Sequence, residues 1–241
     1  MRFGLSVANF GSYADPHAAV HLARTARDAG WDGYFVWDHL AFVWNGPAAD
    51  PWVTLAAIAS QVEGLTLGTF VTPLARRRPQ VVASTLQTLS RLNEHVVFGA
   101  GLGGNEREFT EFGESFDAKE RAERLDAGLE VVRSLWDGPI WIGGNAPAPL
   151  RRASRFDGWA ANSSYLDHMT LTPEEVASRV KTIRAERGTL DGFDVVVQGL
   201  SDLASPRDYA AAGATWWLEN AVDRREDADA ALRRVAAGPP S

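Results

Sequence analysis

Residues 65–101, LTLGTFVTPLARRRPQVVASTLQTLSRLNEHVVFGAG, contain one complete strand–helix–strand unit. Residues 65–71 and 96–101 are short apolar runs, and apolar residues recur at helical spacing between them, from Pro79 onward. Strands joined through a helix are typical of a parallel sheet, because a parallel pair needs a long crossover connection. This unit therefore indicates an α/β protein.

The same alternation of strand and helix extends from this unit to both ends of the chain. The chain has 241 residues, and eight units would take about 30 residues each, which is typical of a (β/α)8 barrel of about 250 residues. Most of the strands are apolar throughout, as expected when both faces of a sheet are covered. We therefore predict a (β/α)8 TIM barrel, α/β in class, as a single domain over residues 1–241, with a doubly wound open sheet as the alternative. The predicted strands are residues 3–7, 32–37, 65–71, 96–101, 139–144, 158–162, 194–199 and 214–219.

Several predicted helices begin with a capping residue followed by proline. This order is typical of a helix start, since proline at the first helical position has no N–H to leave unpaired. The pairs are Asp15–Pro16, Asp50–Pro51, Thr172–Pro173 and Ser205–Pro206.

The composition excludes several classes of function. The net charge of −7 gives no overall attraction for nucleic acid, so we expect no nucleic-acid partner. The absence of cysteine excludes disulfides, thiolate catalysis and cysteine zinc sites. No apolar stretch approaches the roughly 20 residues that a membrane span requires, and the N-terminus lacks a signal-peptide pattern. We expect a soluble, cytoplasmic protein with no membrane partner.

Polar residues and glycines follow the predicted strands. In a parallel barrel the functional residues lie on the loops at the carboxyl ends of the strands, so these residues should meet at one rim. They include Asn9, Asp38, His39, Thr72, Arg76, Arg77, Arg78, Gly101, Gly103, Gly104, Asn105, Glu106, Gly143, Gly144, Asn145, Asn162, Ser163, Ser164, Gln198, Glu219 and Asn220.

The chain resembles the luciferase-like monooxygenase superfamily of flavin- and deazaflavin-dependent oxidoreductases over nearly its whole length. The matching segments stand in the family's order: NFG, LARTARDAGWDGYFVWDHL, TPLARRRPQVVASTLQTLSRL, GAGLGGNEREFTEFG, ERAERLDAGLEVVRSLW, PIWIGGNAPAPLRRASRFDGW and AGATWWLE. The resemblance implies a (β/α)8 barrel that binds FMN or coenzyme F-420 at its carboxyl-end rim. It also implies a non-proline cis peptide bond ending the third strand, which would be Val71–Thr72 here.

The chain departs from the family in three places. SLWDG runs directly into the strand ending in IWIGG, so we predict a short barrel without the family's usual insertion. The segment LSRLNEH replaces the common LSGGR. Gly104 stands where some deazaflavin dehydrogenases have glutamate, which argues against a sugar-phosphate dehydrogenase.

Asp38 and His39 are the predicted catalytic pair. The unperturbed pKa of imidazole lies near neutrality, so His39 could give or take a proton beside hydride transfer, and Asp38 could orient it or contact the cofactor ring. The alternative is a capping Asp and a His bonded to backbone; adjacent strand residues face opposite ways, so both need not enter one pocket. The basic run Arg76–Arg78 is interpreted as a solvated turn, with attraction of an anionic cofactor as the alternative.

The remaining predicted site residues divide between cofactor and substrate. Glycines at strand ends allow backbone N–H groups to approach a phosphate, although a tight turn would use the same residues. Following the resemblance, the cofactor-binding residues are Asn9, Val71, Thr72, Gly101, Gly103, Asn105, Gly143, Gly144, Asn145 and Asn162. Aromatic residues near the second loop, Phe42, Trp44 and Trp52, are predicted to enclose an apolar substrate, whereas Trp37 and Trp217 are assigned to the core.

The leading hypothesis is an oxidoreductase or monooxygenase acting on a small, largely apolar organic substrate. With FMN it would use a separate flavin reductase; with coenzyme F-420 it would transfer hydride without oxygen. A metal-dependent barrel isomerase or hydrolase using Asp38, His39, His168 and Glu219 is the alternative from another class, and a non-catalytic flavin-binding barrel is a third. No metal site is otherwise predicted. Dimers are the commonest state of such barrels, so we expect a homodimer.

Overall fold

The computed structural model describes residues 1–40, 46–222 and 225–240. Within them, eight parallel barrel strands form a closed sheet, because the third strand pairs with the second on one side and with the fourth on the other. The open-sheet alternative is therefore wrong. The strands are β1 (Arg2–Val7), β2 (Gly33–Val36), β3 (Thr66–Thr69) with its continuation β4 (Thr72–Pro73), β5 (Val96–Gly101), β6 (Ile140–Gly143), β7 (Gly158–Asn162), β8 (Asp194–Gly199) and β9 (Trp216–Ala221).

The helices pack around the outside of this barrel. None of the described helices combines the length and apolar character needed to span a bilayer. Aspartate and threonine caps form as predicted at Asp15, Asp50 and Thr172, but the Ser205 side chain makes no capping bond. The helices are α1 (Pro16–Asp28), α2 (Pro51–Ala59), α3 (Pro79–Leu92), α4 (Arg107–Thr110), α5 (Ala118–Leu135), α6 (Pro147–Ala153), α7 (Pro173–Arg187), α8 (Pro206–Ala211) and α9 (Ala228–Ala236).

A cis peptide bond interrupts the third barrel strand between β3 and β4. It joins Phe70 to Val71, one residue before the Val71–Thr72 bond that the resemblance implied, so that expectation was wrong by one position. After the break, Thr72 pairs with Ala100 of β5. Paired residues of parallel strands face the same way, so Thr72 faces the helix layer with Ala100, whereas Val71 contacts the barrel interior.

Alternation along the strands divides the buried residues into two layers. Large aromatic and aliphatic residues fill the barrel interior, where Phe35 stacks on Trp141 at 5.1 Å and meets the edge of Trp216 at 5.7 Å. Residues of opposite parity, including Trp217 as predicted, face the helices. The aromatic interior fills the lower barrel, so a ligand held within the barrel would lie above it, at the carboxyl-end mouth.

Candidate active site at the barrel mouth

A small polar layer lies directly above the aromatic interior. The Gln198 side-chain amide donates to Ser6 Oγ at 2.8 Å, and the indole N–H of Trp37 donates to the same oxygen at 2.9 Å. Asn220 Oδ1 accepts from Gln198 at 3.3 Å. Trp37 therefore faces the mouth, and its assignment to the core was wrong. The reason is strand parity: Trp37 lies two residues beyond the inward-facing Phe35.

His39 lies two residues beyond Trp37, faces the same way, and lies beside the polar layer. Its ring centroid is 5.9 Å from that of Trp37 and 5.8 Å from that of Phe10. The His39 side chain is 28% exposed, whereas its partner Glu108 is only 1% exposed. His39 Nδ1 and Glu108 Oε1 are 2.9 Å apart. The imidazole is thus held from the side by a buried carboxylate.

The Glu108 carboxylate accepts hydrogen bonds from three groups. Besides His39, the backbone N–H of Leu40 donates to Oε1 at 2.7 Å and Arg76 donates to Oε2 at 2.5 Å. Burial alone would raise the pKa of Glu108, but the His39 contact, the Leu40 N–H and the Arg76 charge together lower it. An ionised Glu108 only accepts, so Nδ1 of a neutral His39 carries the hydrogen and Nε2 keeps its lone pair.

Asp38 faces the opposite side and contacts arginines instead of the mouth. Arg77 donates to both carboxylate oxygens at 2.7 Å, and Arg76 donates to Oδ1 and to the Asp38 carbonyl at 3.0 Å. The Asp38 side chain is fully buried and that of Arg76 is 6% exposed. Asp38 therefore positions arginines. The prediction that its carboxylate orients His39 or contacts the cofactor ring is wrong, because both of its oxygens bind Arg76 or Arg77. The solvated interpretation of Arg76 was also wrong, because two carboxylates bind it.

Sequence reasoning missed Glu108 altogether. It stands in an acidic run with Glu106 and Glu111, which resembles the exposed face of a helix. The only local signal is the buried Phe109 beside it, which shows that this part of α4 faces the protein. Contact with His39 spans 69 residues along the chain and follows from barrel closure alone.

Next to β2, the third barrel strand carries Val71, which packs against two glycines of the following strands. A Cβ at Gly101 would lie 2.6 Å from Val71 Cγ2, and a Cβ at Gly143 would lie 2.9 Å from the same atom. Side chains at either position would thus displace Val71. The predicted residues Val71, Gly101 and Gly143 therefore meet in one surface, with the glycines supporting Val71.

Two further predicted glycines shape the loops of the rim. Gly103 has φ +83 and its carbonyl accepts from the buried Arg121, which sequence reasoning also missed. Gly144 has φ +120, a conformation that favours glycine, and its carbonyl accepts from Trp159 Nε1 at 2.8 Å. Both glycines serve tight turns.

The predicted asparagines hold loops at the rim in different ways. Asn9 donates to the Ala49 carbonyl, and Asn145 donates to the Asn162 carbonyl at 2.7 Å. The Oδ1 atoms of Asn9 and Asn145 are buried, and each lacks a hydrogen-bond partner among the described residues. Asn105 caps the N–H of Arg107 at 3.1 Å. Asn162 ends β7 and is exposed.

The remaining predicted residues do not join this surface. Thr72 faces the helix layer, and Trp52 is buried between α2 and the barrel wall, with its ring 6.1 Å from that of Phe98. Neither side chain reaches the mouth, because each belongs to the outward-facing layer. The predicted substrate walls Phe42 and Trp44 lie outside the described residues.

The proposed metal ligands of the alternative hypothesis do not converge. Glu219 faces outward, where it accepts from Trp217 Nε1 at 2.8 Å and lies 3.3 Å from Arg234. Burial raises the pKa of this carboxyl above its ordinary value, against the opposing Trp217 and Arg234 contacts. Residues 1–40, 46–222 and 225–240 contain no group of three or more His, Asp or Glu placed to hold a metal.

Comparison with known proteins decides the family. Residues 1–139 match the family model described as luciferase-like monooxygenase. This chain belongs to the luciferase-like monooxygenase family. A protein from Nakamurella multipartita, named as an F-420-dependent glucose-6-phosphate dehydrogenase, is 29% identical to this chain over 269 residues, covering 95% of this chain and 75% of that protein.

Solved structures of other proteins share the barrel. An F-420-dependent secondary alcohol dehydrogenase, in complex with an F-420–acetone adduct, has a TM-score of 0.79 at 15% identity, with 99% of both chains covered. The oxygenating constituent of 3,6-diketocamphane monooxygenase from Pseudomonas putida, in complex with FMN, has a TM-score of 0.65 at 15% identity, covering 82% of this chain and 66% of that one. At these identities the likeness shows the fold alone. The chain is thus a luciferase-like oxidoreductase with a (β/α)8 barrel.

Proposed function

We propose that this family member is a coenzyme F-420-dependent oxidoreductase that acts on a small, largely apolar alcohol or carbonyl compound. The observation that carries the proposal is His39, which is held through Nδ1 by buried Glu108 and lies among apolar rings at the barrel mouth. A proton-transferring imidazole suits interconversion of a hydroxyl and a carbonyl, where a proton must move with each hydride. The coenzyme named for the relative from Nakamurella multipartita supports the choice of cofactor.

The surface around Val71 suits a planar cofactor. The Val71 side chain packs against Gly101 and Gly143, neither of which has a side chain to project beside it. The buried Oδ1 atoms of Asn9 and Asn145 are acceptors that a polar ligand could satisfy. We assign cofactor contacts to Val71, Asn9 and Asn145, and a supporting role to the two glycines. When bound, a deazaflavin supplies hydride exchange with a carbon atom of the substrate.

The protein's own part in the reaction is proton transfer and exclusion of water. In the oxidative direction, Nε2 of His39 takes the hydroxyl proton as the carbon–hydrogen bond breaks and the carbon–oxygen double bond forms. In the reductive direction, Nε2 returns that proton to the carbonyl oxygen. Glu108 stabilises the imidazolium in both directions, because its charge lies 2.9 Å from Nδ1.

The proposal is tested by titrating the purified protein with coenzyme F-420 and with FMN in parallel, then measuring F-420 reduction by secondary alcohols. We expect F-420 to bind more tightly and His39→Ala to lose about a hundredfold in kcat, the lower end of what positioned acid–base groups contribute. His95→Ala is the matched control, since His95 is 59% exposed and precedes β5 at the other end of the barrel. Wild-type turnover in His39→Ala would contradict the assignment.

An FMN-dependent monooxygenase is the second candidate, favoured by the barrel's likeness to a structure that contains FMN. It would receive reduced FMN from a separate flavin reductase. Formation of an oxygenated product from an apolar ketone with chemically reduced FMN and oxygen, dependent on the protein and without F-420 turnover, would replace the first proposal with this one. Sugar phosphates are disfavoured for either enzyme, because the wall beside His39 is apolar and Gly104 offers no side chain.

We also propose that the chain forms a homodimer through α2 and α3. Val53, Val81 and Leu92 are 63%, 56% and 47% exposed there. Val81 and Leu92 line a groove together with Trp52 and Leu89. An apolar patch of this kind favours a protein partner. Light scattering should give the dimer mass for the wild type and the monomer mass for Val81→Asp. A monomeric wild type would contradict the proposal.

A further inference from the structure

Residues 163–170 form a hairpin that follows β7. Ser164 and Met169 pair as an isolated antiparallel bridge. The N–H of Tyr165 donates to the His168 carbonyl at 2.8 Å, and that of Thr170 donates to the Ser163 carbonyl at 2.7 Å. The sequence predicted only that Ser163 and Ser164 end a strand and offered His168 as a metal ligand of the alternative function. Its backbone pairing gives it a defined shape of its own.

The base of the hairpin is fastened to the polar layer of the mouth. Ser163 is fully buried, and its hydroxyl donates to the Gln198 carbonyl at 2.6 Å. Asn220 donates to Ser164 Oγ at 3.4 Å. Because Gln198 and Asn220 belong to the layer beside His39, the hairpin rises directly from the floor of the candidate active site.

Leu166, near the tip of the hairpin, packs over the mouth. Its side chain packs against a buried cluster of Ala8, Phe10 and Val222, on which Trp37 and Ala48 also pack. We name these six apolar residues the apolar wall: Ala8, Phe10, Trp37, Ala48, Leu166 and Val222. Two of its rings, Phe10 and Trp37, are the neighbours of His39.

The backbone of Leu166 is anchored independently of its side chain. Arg225 Nε donates to the Leu166 carbonyl at 3.0 Å, and the same guanidinium binds Asp202. Hydrogen bonding by Arg225 lowers the pKa of Asp202, against a smaller effect of burial, so this pair is charged near neutral pH. The main chain at residue 166 is therefore held by polar contacts that a change of its side chain leaves in place.

We propose that Leu166 is a specificity-determining residue, whose side chain closes the apolar wall and limits the length of the aliphatic substituent accepted beside His39. This inference rests on the proposed function and extends it to a substrate class: uncharged secondary alcohols or ketones with short alkyl chains. The side chains of the wall are aliphatic or aromatic, so a carboxylate or phosphate entering there would lose its hydration without a partner.

The test compares Leu166→Ala, Leu166→Met and Leu166→Phe over a series of secondary alcohols of increasing chain length, from isopropanol upward. We expect Leu166→Ala to raise kcat/KM for longer alcohols relative to isopropanol by about tenfold, the lower end for one methylene in an apolar pocket. Leu166→Phe should lower that ratio, and Leu166→Met, of similar volume, should leave it within about threefold. The control Leu135→Ala removes a 47% exposed leucine at the end of α5 and should leave the ratio unchanged.

A binding measurement separates this inference from the proposed function. The corresponding ketones are titrated calorimetrically into each protein in the presence of coenzyme F-420. Turnover without any shift in chain-length preference overturns the role of Leu166 and leaves the proposed function standing. A shift in ketone affinity with no turnover in the wild type supports the role of Leu166 and overturns the redox assignment. Absence of both effects overturns both.

Discussion

Replacing Glu108 with glutamine removes one charge from a buried network that is otherwise balanced. The network pairs two carboxylates, Asp38 and Glu108, with two guanidinium groups, Arg76 and Arg77. A glutamine at position 108 can still accept from Leu40 N–H and His39 through its oxygen. In the wild type, Arg76 donates to Glu108 Oε2 at 2.5 Å. In the variant, the glutamine NH2 group would take the place of that oxygen, so two hydrogen-bond donors would face each other.

The cost of Glu108→Gln follows from the burial of that pair. Glu108 is 1% and Arg76 6% exposed, and removal of one partner of a buried ion pair costs about 3–5 kcal/mol. Since Arg76 keeps Asp38, we take the lower end, ~3 kcal/mol. For a chain of this size that corresponds to a decrease in Tm of roughly 6–12 °C.

The pH dependence gives the same prediction a second measurement. The pKa of Glu108 in the folded protein lies below its ordinary value of 4.5. The stability that its charge contributes is therefore present above pH 4.5 and is lost as the pH falls through the lowered pKa. Urea unfolding should show the full difference between wild type and Glu108→Gln at pH 7 and a shrinking difference below pH 4.5.

The control for this prediction is Glu111→Gln. Glu111 forms an exposed pair with Arg107 at 2.6 Å, with side chains 45% and 52% exposed. Such surface pairs contribute about 0–1 kcal/mol, so this variant should unfold almost as the wild type does. A Glu108→Gln variant within 1 kcal/mol of the wild type at pH 7 would refute the reasoning that burial makes this pair costly to break.

Three further changes test other parts of the site. Gly101→Ala should displace Val71 and weaken F-420 binding at least tenfold in a fluorescence titration. The control Gly104→Ala should bind F-420 as the wild type does, because no atom lies within 4 Å of the added Cβ. Equal F-420 affinity of the two variants would contradict the supporting role of Gly101. Glu219→Gln should gain stability relative to the wild type as the pH rises above 4.5, because the raised pKa of Glu219 makes the wild-type carboxylate charge unfavourable in the folded protein. A difference in the free energy of unfolding by urea that does not vary with pH would contradict this prediction. Arg121→Met removes bonds to two loop carbonyls and should speed proteolysis between residues 102 and 117; unchanged cleavage would show that the loop holds without it.

Much of the barrel was predictable because its signals are local. The strands 96–101, 158–162 and 194–199 match their predicted limits, since each contains a short apolar run bounded by polar residues or glycine. The caps at Asp15, Asp50 and Thr172 likewise depend on a few adjacent residues. Period-two alternation could have assigned Trp37 to the interior once Phe35 was known to face inward.

The contacts between residues of the candidate site were not predictable in the same way. The sequence by itself determined the repeated strand–helix units, their carboxyl-end loops and the position of His39 at the end of β2. Only the tertiary structure decided that Glu108 holds His39, that Arg76 and Arg77 bind Asp38, and that Leu166 packs against the cluster of Ala8, Phe10 and Val222. These contacts join loops from different βα units. They therefore depend on how the whole sheet closes and on the register of its strands, and a local sequence pattern predicts neither.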